Sequence, residues 1–163
     1  MAAFDFERVF GEQYSGIVRV IAHVVHDQAR AQELAAEVFW RLSQAPKAQG
    51  ENTPGWLYRT AIRLALDELR KRVRREKYER FFGLGRKPPT PEELYLQSEE
   101  QRRVRIVLAR LRRTESELLI LRSNDLSYEE IARALSLSPS SIGTLLRRAE
   151  EAFRKEYVRR YKE

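Results

Sequence analysis

Between Gly83 and Pro91 the chain reads Gly-Leu-Gly-Arg-Lys-Pro-Pro-Thr-Pro, a run that breaks regular structure. Proline lacks a backbone donor and clashes with the preceding turn, and glycine weakens a helix by about 1 kcal/mol relative to alanine. On either side apolar residues recur at steps of three and four, the period of a helix with one buried face. A chain of 163 residues divided in this way has room for two small helical modules, each of which must bury its stripe efficiently to fold. The expected fold class is all-α, with a three-helix unit over residues 1–82, a linker over 83–90 and a second helical unit over 91–163. At 42% hydrophobic residues the composition is too apolar for a disordered chain.

In the first unit, Phe6, Phe10, Ile17, Val20, Ile21 and Val24 mark a helix from Phe4 to Val25. Asp27 is a side chain suited to cap a second helix, whose inner stripe is Leu34, Val38, Phe39 and Leu42. Pro46, Gly50, Asn52, Pro54 and Gly55 make 43–55 a loop. From Trp56 a long helix runs toward Phe82, with Tyr58, Ile62, Leu66, Leu69 and Val73 on one face and Arg59, Arg63, Arg70 and Arg74 on another. Asp67 lies within helical reach of Arg63, Arg70 and Lys71 and is expected to pair with them. Past the break, Thr90, Pro91 and Glu93 form a helix start, and Thr114 with Glu117 and Ser127 with Glu130 repeat the signature.

The segment Leu126 to Tyr157 has the layout of a helix-turn-helix. A short helix over 127–135 is followed by a turn at Ser136 to Ser138, and Pro139 opens a longer helix behind Ser138. Ala132 is small where two helices must cross, and Ile142 anchors the second helix ten residues on. Ile142, Leu146, Ala149, Phe153 and Tyr157 should face inward. That leaves Ser140, Ser141, Thr144, Arg147 and Arg148 outside, small hydroxyls and guanidinium groups suited to base edges and phosphates.

Charge points to the same class of partner. Residues 46–90 hold 12 basic and 5 acidic side chains, whereas residues 1–45 hold 4 and 6. A basic stripe confined to one segment suits a polyanion, since each phosphate neutralised releases counterions. With no cysteine there is no disulfide framework and no thiolate site, which fits a reducing cytoplasm. The most apolar stretch, Ile17 to Val25, is interrupted by Arg19 and too short to span a membrane, and the charged N-terminus does not resemble a secretion signal. His23 and His26 could share a helical face, but zinc needs three or four ligands and Asp27 is the only carboxylate nearby, so surface histidines at a helix end are the expected reading. No phosphate-binding glycine loop and no nucleophile–histidine–acid grouping appears; an enzyme is not expected, nor any cofactor.

Four segments resemble the sigma-70 family, in particular its extracytoplasmic-function group. These are Ala31 to Phe39 (AQELAAEVF), Trp56 to Asp67 followed by Leu69 and Arg70 (WLYRTAIRLALD and LR), Leu126 to Ala132 (LSYEEIA) and Ser141 to Ala149 (SIGTLLRRA). They come in the family's order and cover nearly the whole chain. The resemblance implies a sigma factor that directs RNA polymerase to promoters. Glu33, Leu34, Glu37 and Arg41 match the segment that faces core polymerase. Trp56, Arg59, Arg63, Arg70 and Arg74 lie where the −10 element is held, with loop 43–55 beside a flipped base. Ser140, Ser141, Thr144, Arg147 and Arg148 lie where the −35 element is read. Opening a duplex needs a basic groove and a π-face, and base stacking on an aromatic ring is worth about 1–3 kcal/mol. Trp56 can supply that face or can serve as a buried helix-start residue.

The chain departs from the family pattern at Gln32 and Ala36 on the polymerase segment, at Arg63 where Asn is usual, at Arg112 where Pro is common, and at Gly143 and Leu145, which replace basic residues of the recognition helix. Two further readings stand beside the first: a degenerate sigma-like regulator that binds DNA or polymerase without initiating, and a free-standing regulator using only the C-terminal module. Two small domains on a linker also leave faces uncovered, which suits an anti-sigma factor as a partner.

Overall fold

The computed structural model describes residues 3–83 and 99–162, and these form seven α-helices. Helix α1 (Phe6–Val25) is capped by Asp5, whose carboxylate accepts from the Arg8 amide at 3.0 Å. It ends at His26, which takes a left-handed φ of 51° and sends its own N–H to the Ala22 carbonyl at 2.8 Å. Asp27 caps α2 (Gln28–Ser43) as its position predicts, accepting from the Arg30 amide. The loop that follows contains a short 3-10 turn at Pro46–Ala48, and α3 (Thr53–Phe81) begins three residues earlier than Trp56. Pro54 falls within the first turn of α3, where its missing N–H costs nothing, so a proline that reads as a loop residue is part of the helix.

These three helices enclose a core in which Ile17, Ile21, Leu42, Leu57, Ile62 and Leu66 have essentially no exposed surface. Burying each such side chain contributes about 1.5–3 kcal/mol, and truncating one, as in Leu66→Ala, would cost about 2–5 kcal/mol. Phe10 meets Phe39 edge-on and Tyr14 meets it tilted at the α1–α2 seam, with ring centroids 4.9 and 6.1 Å from Phe39. Arg30 ties α2 to α3 by donating to Glu68 at 2.9 Å. That bond holds the Glu68 carboxyl below the usual carboxylate range.

Gly83, with a left-handed φ of 61°, follows the end of α3. The remainder of the expected linker, residues 84–90, and the helix start at Thr90, Pro91 and Glu93 lie outside the described residues. The second half comprises α4 (Glu99–Arg110), α5 (Arg113–Ser123), α6 (Tyr128–Leu135) and α7 (Pro139–Tyr161). Leu118, Leu121, Leu126, Ile131, Ala132, Ile142 and Leu146 form its core. Ser127 and Glu130 make a complete capping box at α6. The equivalent expectation at α5 fails. Arg112 stands at the cap without a side-chain hydrogen bond, Thr114 is exposed inside the helix, and Glu117 turns inward instead of reaching back to the helix start.

The two halves do not stand apart. Ile120 is buried in the first core, with Leu108 and Ala109 packed against it, while Tyr58 of α3 also packs against the second core.

Candidate nucleic-acid and polymerase interfaces

Three of the four arginines on the basic stripe of α3 face the C-terminal half. Arg59 Nη1 donates to Ser136 Oγ at 3.2 Å, in the turn of the helix-turn-helix. Arg70 Nη2 donates to the Leu111 carbonyl at 3.2 Å. Arg63 Nε stands 4.0 Å from Glu117 Oε1, close enough for attraction but too far for a hydrogen bond. Arg74, one turn beyond Arg70, is exposed. Asp67, expected to pair along its own helix, instead accepts from Arg113 Nη2 of α5 at 2.9 Å. Its carboxylate therefore joins the two halves rather than bracing one helix.

Glu117 is only 4% exposed, and its Oε1 has no hydrogen-bond partner among the described residues. Burial pushes its carboxyl above the usual range, against the opposing pull of Arg63, Arg113, Arg70 and Arg59. Desolvation outweighs the four cations because none of them makes a close bond to the carboxylate.

At the start of α3, Asn52 Nδ2 donates to the Arg133 carbonyl of α6 at 3.2 Å. A Cβ added at Gly55 would lie 2.9 Å from that same carbonyl oxygen, so α6 approaches the backbone of α3 at a point that only glycine leaves open. Trp56 is half-buried and packs against the first core, as a helix-start tryptophan does.

Helix α7 sorts its residues much as its spacing predicts. Ile142, Leu146 and Ala149 are buried, whereas Ser140, Thr144, Arg147 and Arg148 are exposed and Ser141 is half-buried. Phe153 and Tyr157 are half-buried and line a groove between α4, α5 and α7 rather than the closed core. The turn before α7 places Ser136 at a left-handed φ of 56°, the conformation for which glycine is the common solution. Ser138 occupies the cap position, but its hydroxyl meets Ser140 Oγ at 2.9 Å instead of a backbone amide.

Two departures on this helix have structural explanations. Leu145 packs against the second core, and a side chain at Gly143 would meet the ring of Tyr128 at 3.5 Å. Leu145 is thus turned toward the core and Gly143 lies beside Tyr128, so neither is a vacant contact on the outer face. Tyr128 itself is 43% exposed, with the Arg122 guanidinium 5.1 Å from its ring centroid.

On α2, Glu33 and Arg41 are exposed and Glu37 is half-exposed, Arg41 Nε donating to Glu37 Oε1 at 2.9 Å. Leu34 is buried in the core, so it holds the helix in place and offers no outward contact. Trp40, which the sequence pattern did not single out, is 61% exposed. It lies seven residues from Glu33 and three from Glu37, on the same helical face. Among the described residues no three His, Cys, Asp or Glu side chains are grouped to hold a metal ion, and no helix is long and apolar enough to cross a membrane.

The chain matches the family description "Sigma-70 region 2" over residues 10–75 and "Sigma-70, region 4" over residues 101–153. It belongs to the sigma-70 family. Region 2 runs from α1 through most of α3, and region 4 from α4 into α7. As a sigma factor the chain is a DNA-binding and RNA polymerase-binding protein of transcription initiation. Among solved structures it is similar to the sigma factor RpoE in complex with the anti-sigma factor NepR from Bartonella quintana. That similarity has a TM-score of 0.55 and 17% identity, and covers 94% of this chain and 97% of that one. At this identity the likeness is one of fold. No curated protein matches the chain in sequence.

Proposed function

We propose that this sigma factor is of the extracytoplasmic-function type and directs RNA polymerase to particular promoters by three surfaces. Glu33, Glu37 and Arg41 on α2 meet core polymerase, with Leu34 holding the helix from within. Trp56, Arg59, Arg63, Arg70 and Arg74 hold the −10 element, and Ser140, Ser141, Thr144, Arg147 and Arg148 read the −35 element. The observation that carries the reading is the division of α7. Its apolar stripe is buried, and its first three turns leave hydroxyls and guanidinium groups exposed. Such a helix can enter a major groove without disturbing its own packing.

Arg59, Arg63 and Arg70 cannot face the C-terminal half and hold a DNA strand at once. On this reading, promoter binding requires the halves 1–82 and 91–163 to separate across the linker at 83–90. The protein acts by binding, not by catalysis, needs no cofactor and works in the cytoplasm. RpoE was solved with an anti-sigma factor, and we extend that class of partner to this chain.

A regulator that binds without initiating is the alternative, favoured by the engaged state of Arg59, Arg63 and Arg70. Run-off transcription with purified core polymerase separates the two. Initiation at specific start sites supports the first reading, and promoter binding without transcripts supports the second.

A further inference from the structure

A cavity of about 580 Å³ lies where the α1–α2 junction, α3 and α4 meet, away from the surfaces assigned above. Its volume falls within the range of about 300–1,000 Å³ typical of small-molecule sites. The cationic lining comes from both halves of the molecule, with Arg72 and Arg75 on α3 and Arg102 and Arg105 on α4.

These arginines are not equally committed. Arg72 is held in place, donating from Nη1 to the Val25 carbonyl at 2.8 Å and from Nη2 to Asp27 at 3.5 Å. Asp27 is in turn occupied as the cap of α2. Arg105 has a buried Nη1 with no hydrogen-bond partner. A buried guanidinium N–H without an acceptor is costly, and a planar fork of donors is the geometry that binds phosphate oxygens in pairs.

The local field agrees with this reading. Burial holds the Arg105 guanidinium below its ordinary range, with Glu76 opposing and Arg72 adding to the effect. His26, also at the cavity, is pushed down by burial and then by Arg105. Two separate groups are thus disfavoured as cations at one place. Glu76 and Glu79 also line the cavity, which makes it a mixed site in which a ligand must be directed to Arg105. Leu69 and Ile106 give it an apolar wall.

We propose that this cavity binds a small phosphorylated anion, its phosphate taken by Arg105 with Arg72 and Arg102 beside it and its remainder lying against Leu69 and Ile106. Because Arg105 and Arg102 belong to the half that covers the α3 stripe, a bound anion ties that half to α3 and favours the closed arrangement by its extra affinity for it. The binding itself does not depend on the promoter reading.

Isothermal titration of the full chain with inorganic pyrophosphate and with ADP, at fixed ionic strength, tests the site. One-to-one binding is expected for at least one of them. ADP binding the tighter would confirm a role for the apolar wall, and equal affinity would confirm a site that reads phosphate alone. Arg105→Gln should weaken binding roughly tenfold or more, the scale of a lost charge-assisted bond, while Lys155→Gln, at an exposed position on α7, should not. Removing a half-buried guanidinium that burial disfavours as a cation should leave the melting temperature of Arg105→Gln at or above that of the wild type without ligand, which separates loss of the site from loss of the fold. The proposal is overturned if neither anion binds, or if Arg105→Gln and Lys155→Gln bind alike, since the affinity would then belong to the basic surface as a whole.

Discussion

Arg59 on the basic helix donates to Ser136 in the turn of the helix-turn-helix, 77 residues away in sequence and 3.2 Å away in space. This bond places one proposed DNA surface in contact with the module that carries the other. Around it, Asn52 with Arg133 and Asp67 with Arg113 repeat the link. Exposed polar contacts of this kind are individually worth about 0–1 kcal/mol, so the shared apolar packing of Tyr58 and Ile120 supplies most of the hold.

Gly55→Ala tests the closed arrangement. The added methyl would lie 2.9 Å from the Arg133 carbonyl, and overpacking of this kind costs about 1–3 kcal/mol. The variant should show a larger radius of gyration in solution scattering and bind −10 DNA more tightly than the wild type. Unchanged dimensions together with unchanged affinity would mean that the close approach does not restrain the halves.

Arg74→Ala should weaken binding to all promoters alike and make the dependence of log K on log salt shallower by about one unit. Arg59→Ala also removes the bond to Ser136, so its loss of phosphate contact should be partly offset by easier opening. A salt series on both variants compares them. Equal losses would show that the Ser136 bond does not hold the closed state.

Thr144→Ala should change which −35 bases are preferred, at about 1–3 kcal/mol for a lost base contact. Thr144 is exposed at the start of α7 while its neighbour Ile142 is fully buried, so the substitution should leave the fold intact. Selection from a −35 library reads the outcome. An unaltered preference would move base reading to Arg147 or Arg148.

Glu37→Lys should weaken core polymerase binding without loss of helical content. Glu37 makes an exposed pair with Arg41, worth about 0.3–0.5 kcal/mol to the helix, a small term beside the core beneath it. Core polymerase binding by native gel or interferometry, together with circular dichroism, checks both halves of the expectation. Trp40 shares that face and is the natural second site to vary.

Glu117→Gln should raise thermal stability at neutral pH and lose that advantage in acid. The sign follows from the raised carboxyl of Glu117. A folded state that holds its proton more tightly than the unfolded chain loses stability as pH rises through the window between the two pKa values, and that cost then persists at higher pH. The glutamine carries no such cost, so the two melting curves should converge at acid pH, where Glu117 is protonated in both states. A variant less stable than wild type at pH 7 would show that Arg63 and its neighbours outweigh the burial.

The local elements were legible in the sequence wherever a single segment settles its own energetics. Asp27 as a cap, Ser127 with Glu130 as a capping box and the buried stripe of Leu34, Val38, Phe39 and Leu42 each depend on residues within one or two turns of each other. The failures share a cause. Thr114 with Glu117 has the spacing of a capping box, but the Glu117 side chain lies buried beside the arginines of α3. Asp67 has bases within its own helix yet bonds to Arg113, and Leu145, which takes a basic position of the family pattern, packs inward against the second core.

Helix class, the three helices of the first half, the helix-turn-helix and membership of the sigma-70 family were thus determined by the sequence alone, because periodicity, caps and short motifs act over a few residues. Only the tertiary structure decided that Arg59, Arg63 and Arg70 of α3 are engaged by the other half, that α6 comes close to the backbone at Gly55 and that Arg105 lines a cavity with its buried Nη1 left without a hydrogen-bond partner. Those facts depend on groups far apart in sequence, 41 positions for Arg70 and Leu111 and 81 for Asn52 and Arg133. Whether a charge finds a partner or is stranded by burial is set by which distant surface closes over it.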